Sequence, residues 1–446
     1  MAEASPPAAV QREASRGPWQ RALRSRWAIW VLLYAVALLA LPRIRCQVVG
    51  ANDSSRYSTM VALVEHGTPY IDDAHLAKRT MDKVRVNGRE LSSKPPVLSV
   101  LGAGIYYVLH KGLGLTFEKN EAVVVPILVA LLCTLPLLVL LWAFHGLVRR
   151  ESIAPPAALG ITALLGLATL CFPFGTILVN HIPSTTALFG MFVCARELRS
   201  QRQRSPWYAF AAGLLGCLAV TFELTAVFPV LALGVYLLWD RRQWSHAGLV
   251  LLGAAGPAAL HLGLTWWSTG GVLPVQLRPA LWHFDGSYWN QPKSWDALAQ
   301  PKWQYGLYCF LGGRGLFTLT PMLLLAVPAL WRGLRRGAGA TWSGDAPGRA
   351  ETVAVLAGFV GLATFIILRT NNYGGGHYGM RWFLMMVPLL LALMAPLLAG
   401  IRSRLGLVGL ALLVLPGLYT AQIFWFGKPT VYELLLMRHG WLQLPP

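Results

Sequence analysis

Charge is what this chain has least of. Only 13% of its 446 residues are Asp, Glu, Lys or Arg, against about 25% in soluble globular proteins. A water-soluble protein of this size needs a charged skin, and this composition cannot supply one. Acids are scarcest: 19 Asp and Glu face 38 Lys and Arg, a net charge of +19. No zinc-ligand spacing, RNP-like strand or basic helix accompanies that excess, so nucleic acid is excluded as a partner. The six cysteines contain no CxxC pair, which argues against a cysteine metal site. There is no obvious internal repeat, where a secondary transporter would be expected to show related halves. The first 26 residues are too long and too polar before the first apolar run to be a standard cleaved signal peptide. They read as a disordered basic cytoplasmic tail.

What the chain does have is apolar length. Hydrophobic residues make up 55%, with 18 Trp, 44 Gly and 29 Pro. Gly and Pro are tolerated in membrane helices, and Trp gathers at their interfaces. Apolar runs fall at about 27–42, 122–148, 154–172, 178–195, 207–239, 246–267, 315–331, 350–368, 382–400 and 405–426. The 33-residue run 207–239 would be roughly 50 Å as one helix, against a hydrocarbon core of about 30 Å. It is expected to fold back at Thr221-Phe222-Glu223. The expectation is an all-α polytopic membrane protein with about 11 transmembrane helices plus external juxtamembrane helices. The membrane domain covers 27–426.

Sidedness follows from arginine. Arg149/Arg150, Arg196/Arg199/Arg202/Arg204, Arg241/Arg242, Arg332/Arg335/Arg336/Arg349 and Arg402/Arg404 place 14 basic residues in five short loops. By the positive-inside rule these loops are cytoplasmic. The rule holds if 95–110 does not cross the membrane and is an external amphipathic or re-entrant helix. Loops 43–120 and 268–314 and the C-terminal segment 427–446 are then external. Cys46 and Cys309, both expected outside, are candidates for one disulfide.

The external loops carry the polar side chains. Asp53 or Ser54 can cap a helix beginning near Asn52, along which Arg56 and Tyr57 follow at helical spacing. Asp53 reads either as that cap or as a proton acceptor at interface depth. Arg56 reads either as a lipid-phosphate anchor or as a phosphate ligand in a site. Asn87-Gly88 signals a turn, and Lys94 stands before a rigid Pro95-Pro96 that starts the next helix well. Asn180 and His181 open a span and should face an interior cavity, because lipid would penalise them. Glu223 sits at a hairpin tip. In the second long loop, His283 and Tyr288 lie in an aromatic stretch from Trp282 to Trp289 that suits either an interface belt or stacking on sugar rings. Tyr373, three glycines, His377, Tyr378 and Arg381 form a loop whose glycines permit close backbone approach to a ligand.

These residues resemble the GT-C class of polytopic glycosyltransferases, being most similar to relatives of protein O-mannosyltransferases and to the transferase that places aminoarabinose on lipid A. Asp53-Ser54-Ser55-Arg56-Tyr57 matches that transferase's Asp-Glu-x-Arg-Tyr motif at Asp, Arg and Tyr. Asn87-Gly88 followed by Lys94-Pro95-Pro96-Val97 matches its Asn-Gly…Lys-Pro-Pro-Leu, with Val for Leu. The family's second acid is Ser54 here, and His181 or Glu223 are candidates to replace the missing acids. The resemblance implies transfer of a sugar from a polyprenyl- or dolichyl-phosphate-linked donor to an acceptor hydroxyl on the external face. Asp53 would be the catalytic acid, and Arg56, Lys94 and Arg381 would bind the donor phosphate. Tyr57, Asn180, His181, Glu223, His283, Tyr288, Tyr373, His377 and Tyr378 would shape the substrate pocket. A divalent metal has no clear ligand set, and none is assigned. The partners implied are the lipid-linked donor, membrane lipid and a glycan, lipid or protein acceptor. The compartment is the plasma (inner) membrane in a bacterium or the endoplasmic reticulum in a eukaryote. A lipid-linked saccharide transporter and a non-catalytic membrane scaffold of the same fold are the competing readings.

Overall fold

The computed structural model describes residues 27–48, 50–199, 205–239, 241–293, 296, 299–337, 347–370, 372–374 and 379–423. The basic tail 1–26, the segment 427–446, His377 and Tyr378 lie outside the described residues.

Among the described residues the fold is helical, with one two-stranded hairpin, and five helices are long and apolar enough to cross a membrane: α4 (Phe117–Arg150), α9 (Trp244–Thr269), α12 (Arg349–Arg369), α13 (Arg381–Gly400) and α14 (Arg404–Ile423). A sixth crossing is possible if α10 (Lys302–Leu319) and α11 (Pro321–Leu334), bent by 100° at their junction, count as one span. This is the build of a multi-pass membrane protein. The count of eleven is not reproduced, because several apolar runs do not make continuous helices. α1 (Ala28–Arg43), α5 (Pro155–Leu167), α7 (Trp207–Phe222) and α8 (Leu224–Leu238) have 10–17 residues, or about 15–25 Å of helix. The run 154–172 loses its helix after Leu167 and resumes only as the short turn Cys171–Phe174. The run 315–331, expected to be one straight crossing, is broken at Thr320–Pro321. Proline lacks the N–H that would continue the helix and pushes the preceding residue towards extended backbone. Thr320 complies with φ −138° and ψ 71°.

The run 207–239 does fold back. α7 stops at Phe222, and Glu223 is extended at φ −140°, ψ 109° before α8 begins. α7 packs on α6 (His181–Arg199) and on α9. The α7–α9 contact is backbone against backbone: a Cβ on Gly213 would lie 1.9 Å from the Val250 carbonyl oxygen, and one on Gly253 2.0 Å from that of Phe210. In lipid, where apolar burial drives little, such close approach is how helices attract.

Ahead of α4 stand α2 (Ala51–Glu65), the hairpin β1 (Lys83–Val86) and β2 (Arg89–Ser92), and α3 (Pro96–Tyr107). α2, α3 and the start of α4 share a core around Tyr57, Met60, Tyr106 and Phe117. Tyr106 fixes the corner by donating to Glu65 while accepting the Phe117 N–H at 3.2 Å. The hairpin turns on Asn87 and Gly88, both at positive φ (50° and 81°), as a two-residue Asn-Gly loop requires. Its antiparallel register pairs Lys83 with Ser92.

At the end opposite the hairpin, Arg196 is not a loop residue. It lies in the last turn of α6, buried, 2.8 Å from Glu151 and 3.8 Å from Glu351. Tyr236 donates to Glu351 at 3.1 Å, and Arg150 reaches Glu197 at 2.5 Å. Part of the arginine excess thus closes an ionic network joining α4, α6, α8 and α12. Cys46 is exposed and Cys309 buried, both as free thiols, so the disulfide considered between them is not formed.

Candidate functional site: a buried cationic cluster behind the hairpin

α2 starts at Ala51 with Gly50 as its cap, and Asp53 is the third helical residue, accepting the Gly50 N–H at 2.8 Å. Asp53 is therefore part of the helix start but is not the N-cap residue itself. One turn on, Arg56 is 1% exposed. Its Nη1 donates to the Asn52 carbonyl at 2.9 Å and to the Asn52 side chain, and its Nη2 donates to Asn180 Oδ1 at 2.6 Å. Asn180, just before α6, passes the contact on by donating to Glu223 Oε2 at 2.6 Å and to the Phe222 carbonyl at 2.8 Å. His181 Nδ1 lies 3.3 Å from the same Glu223 oxygen. Four of the residues singled out from sequence thus form one network from three distant segments.

The hairpin delivers the second part. Asp82 immediately precedes β1 and Lys94 follows β2, so the strand register brings them together: Lys94 Nζ is 2.9 Å from Asp82 Oδ2. Ser55 Oγ donates to the Asp82 carbonyl at 2.6 Å and shares a hydrogen bond with Ser92 Oγ at 2.6 Å, tying the hairpin to α2. Arg381, at the start of α13, is 9% exposed, and among the described residues neither its Nε nor its Nη1 has a hydrogen-bond partner. The Arg56 Nε is likewise unpartnered.

Electrostatics shows that these side chains share one neighbourhood. Burial pushes the Arg56 guanidinium down to about 10, and Arg381 adds to the push, while Glu223 and Asp82 oppose it; it stays a cation at pH 7. Burial alone would raise the Asp82 carboxyl, but the Lys94 ammonium outweighs it, helped by Arg381 and Arg56, and holds the group below its ordinary value. Lys94 is lowered by burial and by the two arginines despite its Asp82 partner. Three cations, Arg56, Lys94 and Arg381, meet three acids, Asp82, Glu223 and Asp296, the last of which acts on Arg381.

Two cavities border it. One, of about 50 Å³, is lined by Lys94, Ser92, Thr59, His261 and Gln276 among others; a second, of about 40 Å³, is lined by Asp53, Asn52, Tyr57, Arg45 and Val179 among others. α2 contributes to both, Thr59 and Leu63 to the first and Asn52, Asp53 and Tyr57 to the second. Among the described residues, the buried Tyr57 hydroxyl has no partner, its ring against Phe117 at 5.1 Å between centroids, and His261, in α9 and 6% exposed, has neither ring nitrogen bonded.

The remaining aromatic candidates sit further out. The stretch holding Tyr288 caps the hairpin: Trp289 Nε1 donates to the Met81 carbonyl at 3.0 Å, and Arg85 stacks 4.3 Å from the Phe284 ring centroid. Tyr288 donates to Asp296 Oδ2 at 3.1 Å. Burial raises the Asp296 carboxyl, which also feels Asp82, Lys94 and Arg381. His283 is exposed, bonded to Asn290 at 3.2 Å. Tyr373 is turned instead towards Gln300, at 2.5 Å, and the Tyr305 ring, at 5.1 Å. Asp82 and Asp296 were not among the sequence candidates. Counting pairs outward from Asn87-Gly88 would have found Asp82, since that count puts it beside Ser93 and Lys94. Among the described residues, no group of three His, Cys, Asp or Glu side chains is disposed to hold a metal ion.

No family model matches the chain, and no curated protein matches it. The chain is similar to the crystal structure of ArnT from Cupriavidus metallidurans in the apo state, at 16% identity and a TM-score of 0.49, covering 86% of this chain and 61% of that one. The chain spans less than two thirds of that protein's length.

Proposed function

We propose that this protein transfers a sugar from a polyprenyl- or dolichyl-phosphate-linked donor to an acceptor hydroxyl. The work is done on the external face of a plasma membrane or the lumenal face of the endoplasmic reticulum, with loops 43–120 and 268–314 on that face. One observation carries the reading: buried Arg56 and Arg381 and the mostly buried Lys94, from three separate segments, share one neighbourhood, and among the described residues both arginines have guanidinium nitrogens without a partner. Burying unpaired charge is costly unless an anion completes it. A phosphate at a lipid boundary is such an anion, and Arg favours it for its planar fork.

The chemistry follows from that seat. Negative charge grows on the phosphate oxygen as the bond from the anomeric carbon to it breaks, so fixed cations help most in the transition state. The acceptor oxygen forms the new bond to the same carbon, and its proton passes to Asp53. Single displacement inverts the centre, which requires nucleophile and leaving group on opposite sides. Lys94 borders one cavity and Asp53 the other, which supports placing the leaving group and the acceptor apart. Asn180, His181 and Glu223 hold Arg56 in place, while Tyr57, His283, Tyr288 and Tyr373 line the approaches. His377 and Tyr378 keep the substrate role assigned to them from sequence.

The test is to incubate membranes carrying the protein with a panel of radiolabelled lipid-phosphate sugars and trace the product. Transfer by the wild type, lost in Lys94→Gln and Arg381→Gln at equal protein level, is expected. No transfer from any donor, or equal transfer by the variants, would refute the proposal.

A further inference from the structure

We propose that the Asp82 carboxylate is a built-in stand-in for the ligand's phosphate: it occupies Lys94 while the site is empty and is displaced towards Arg381 when a lipid phosphate arrives. The inference rests on the donor reading above and concerns a residue to which that reading gives no role.

Three observations support it. First, Lys94 borders the 50 Å³ cavity, yet its ammonium is already taken, 2.9 Å from Asp82, with both side chains mostly buried. An incoming phosphate must therefore compete with a carboxylate of the same charge sign for the same donor. Second, the backbone around the pair is pinned while the side chain is not. Asp82 N–H donates to Thr80 Oγ1 at 2.9 Å. Its carbonyl accepts from Ser55 Oγ at 2.6 Å and from the Ser93 N–H at 3.1 Å. Among the described residues, the carboxylate itself bonds only Lys94. A side-chain rotation can thus free Lys94 without disturbing the hairpin. Third, a second cation lies in the same neighbourhood. Arg381 is buried, its Nε and Nη1 are without a partner among the described residues, and its charge acts on the Asp82 carboxyl. The cluster then keeps its acids paired whether or not ligand is present.

The exchange has a consequence for turnover. The donor is a phosphodiester with one negative charge, whereas the leaving lipid phosphate is a monoester carrying nearly two at neutral pH. The product would grip three cations harder than the substrate did. Return of Asp82 to Lys94 opposes that grip and promotes product release.

The test is the affinity of the purified full chain, in nanodiscs, for decaprenyl phosphate, with inorganic phosphate and decaprenol run in parallel. Asp82→Asn is expected to bind decaprenyl phosphate about tenfold more tightly than wild type, within the usual range of couplings between sites. The gain should vanish in Asp82→Asn combined with Lys94→Gln. A merely structural ion pair predicts the reverse, weaker binding in Asp82→Asn, and that result, or no change, would overturn the proposal. If wild type binds no lipid phosphate, the donor reading fails with it. If inorganic phosphate binds as well as the lipid and shows the same gain, Asp82 is still a stand-in, but for the free anion. Should Asp82→Asn not fold, a cryo-EM structure of the wild type with decaprenyl phosphate decides. Lys94 on the phosphate with Asp82 turned to Arg381 supports the exchange; an intact Asp82–Lys94 pair refutes it.

Discussion

Arg56 Nη2 donates to Asn180 Oδ1 at 2.6 Å, joining positions 124 residues apart. Asn180 is committed on its other side to Glu223, so its amide orientation is set and its oxygen must face the guanidinium. Arg56→Met removes the donor and leaves Asn180 Oδ1 buried without a partner. The expected cost is about 1–3 kcal/mol, read as a lower melting temperature in detergent, together with loss of lipid-phosphate binding. Asn180→Leu should weaken both to a similar degree. A variant at either position that keeps wild-type melting would contradict the network.

The two readings of Asp53 separate experimentally. Asp53→Asn keeps an oxygen for the Gly50 N–H, so stability should change little while sugar transfer is abolished. Asp53→Ala also removes the contact at the helix start, adding about 1 kcal/mol of destabilisation. If Asp53→Asn transfers sugar normally, the carboxylate is only a helix-start residue.

Acid should loosen the hairpin corner. Burial by itself raises the Asp82 carboxyl, but Lys94 more than compensates and holds it below its ordinary value. A folded-state value below the unfolded one contributes stability that is present above the unfolded value and lost as pH falls through the folded one. Melting temperature should therefore decline as pH drops below about 4, with a smaller decline in Asp82→Asn. Equal slopes in the two proteins would remove this pair as a source of stability.

The opposite end should be sensitive to charge deletion. Arg196 sits between Glu151 and Glu351, at 2.8 and 3.8 Å. Removing Arg196 as Arg196→Met strands two buried acids, and losses of about 3–5 kcal/mol accompany such breaks. Expression level and detergent melting report it. Sugar transfer per folded molecule should stay near wild type, because the network lies away from the cluster.

The α7–α9 seam tests packing alone. Gly213→Ala places a methyl group 1.9 Å from the Val250 carbonyl oxygen, and backbone cannot yield as a side chain would. The helices must part, at a cost of about 1–3 kcal/mol. Unchanged melting would mean that the seam is looser than described.

Much of this was written in the order of residues along the chain. Apolar runs marked where helices form, since burial in lipid depends on composition over about twenty residues. Asn87-Gly88 marked a turn, because few residues tolerate positive φ. The polarity of Glu223 marked the break between α7 and α8. Arg56 stood out by its spacing from Asp53, Lys94 by its place before Pro95-Pro96, Arg381 by ending the glycine loop, and Asn180 because lipid would penalise it. What the chain order could not state was which of them meet. The bend at Thr320–Pro321, the burial of Arg196 between two acids and the pairing of Asp82 with Lys94 depend on segments tens to hundreds of residues apart. Charge interactions fall off with distance in space, and only the packed helices set that distance.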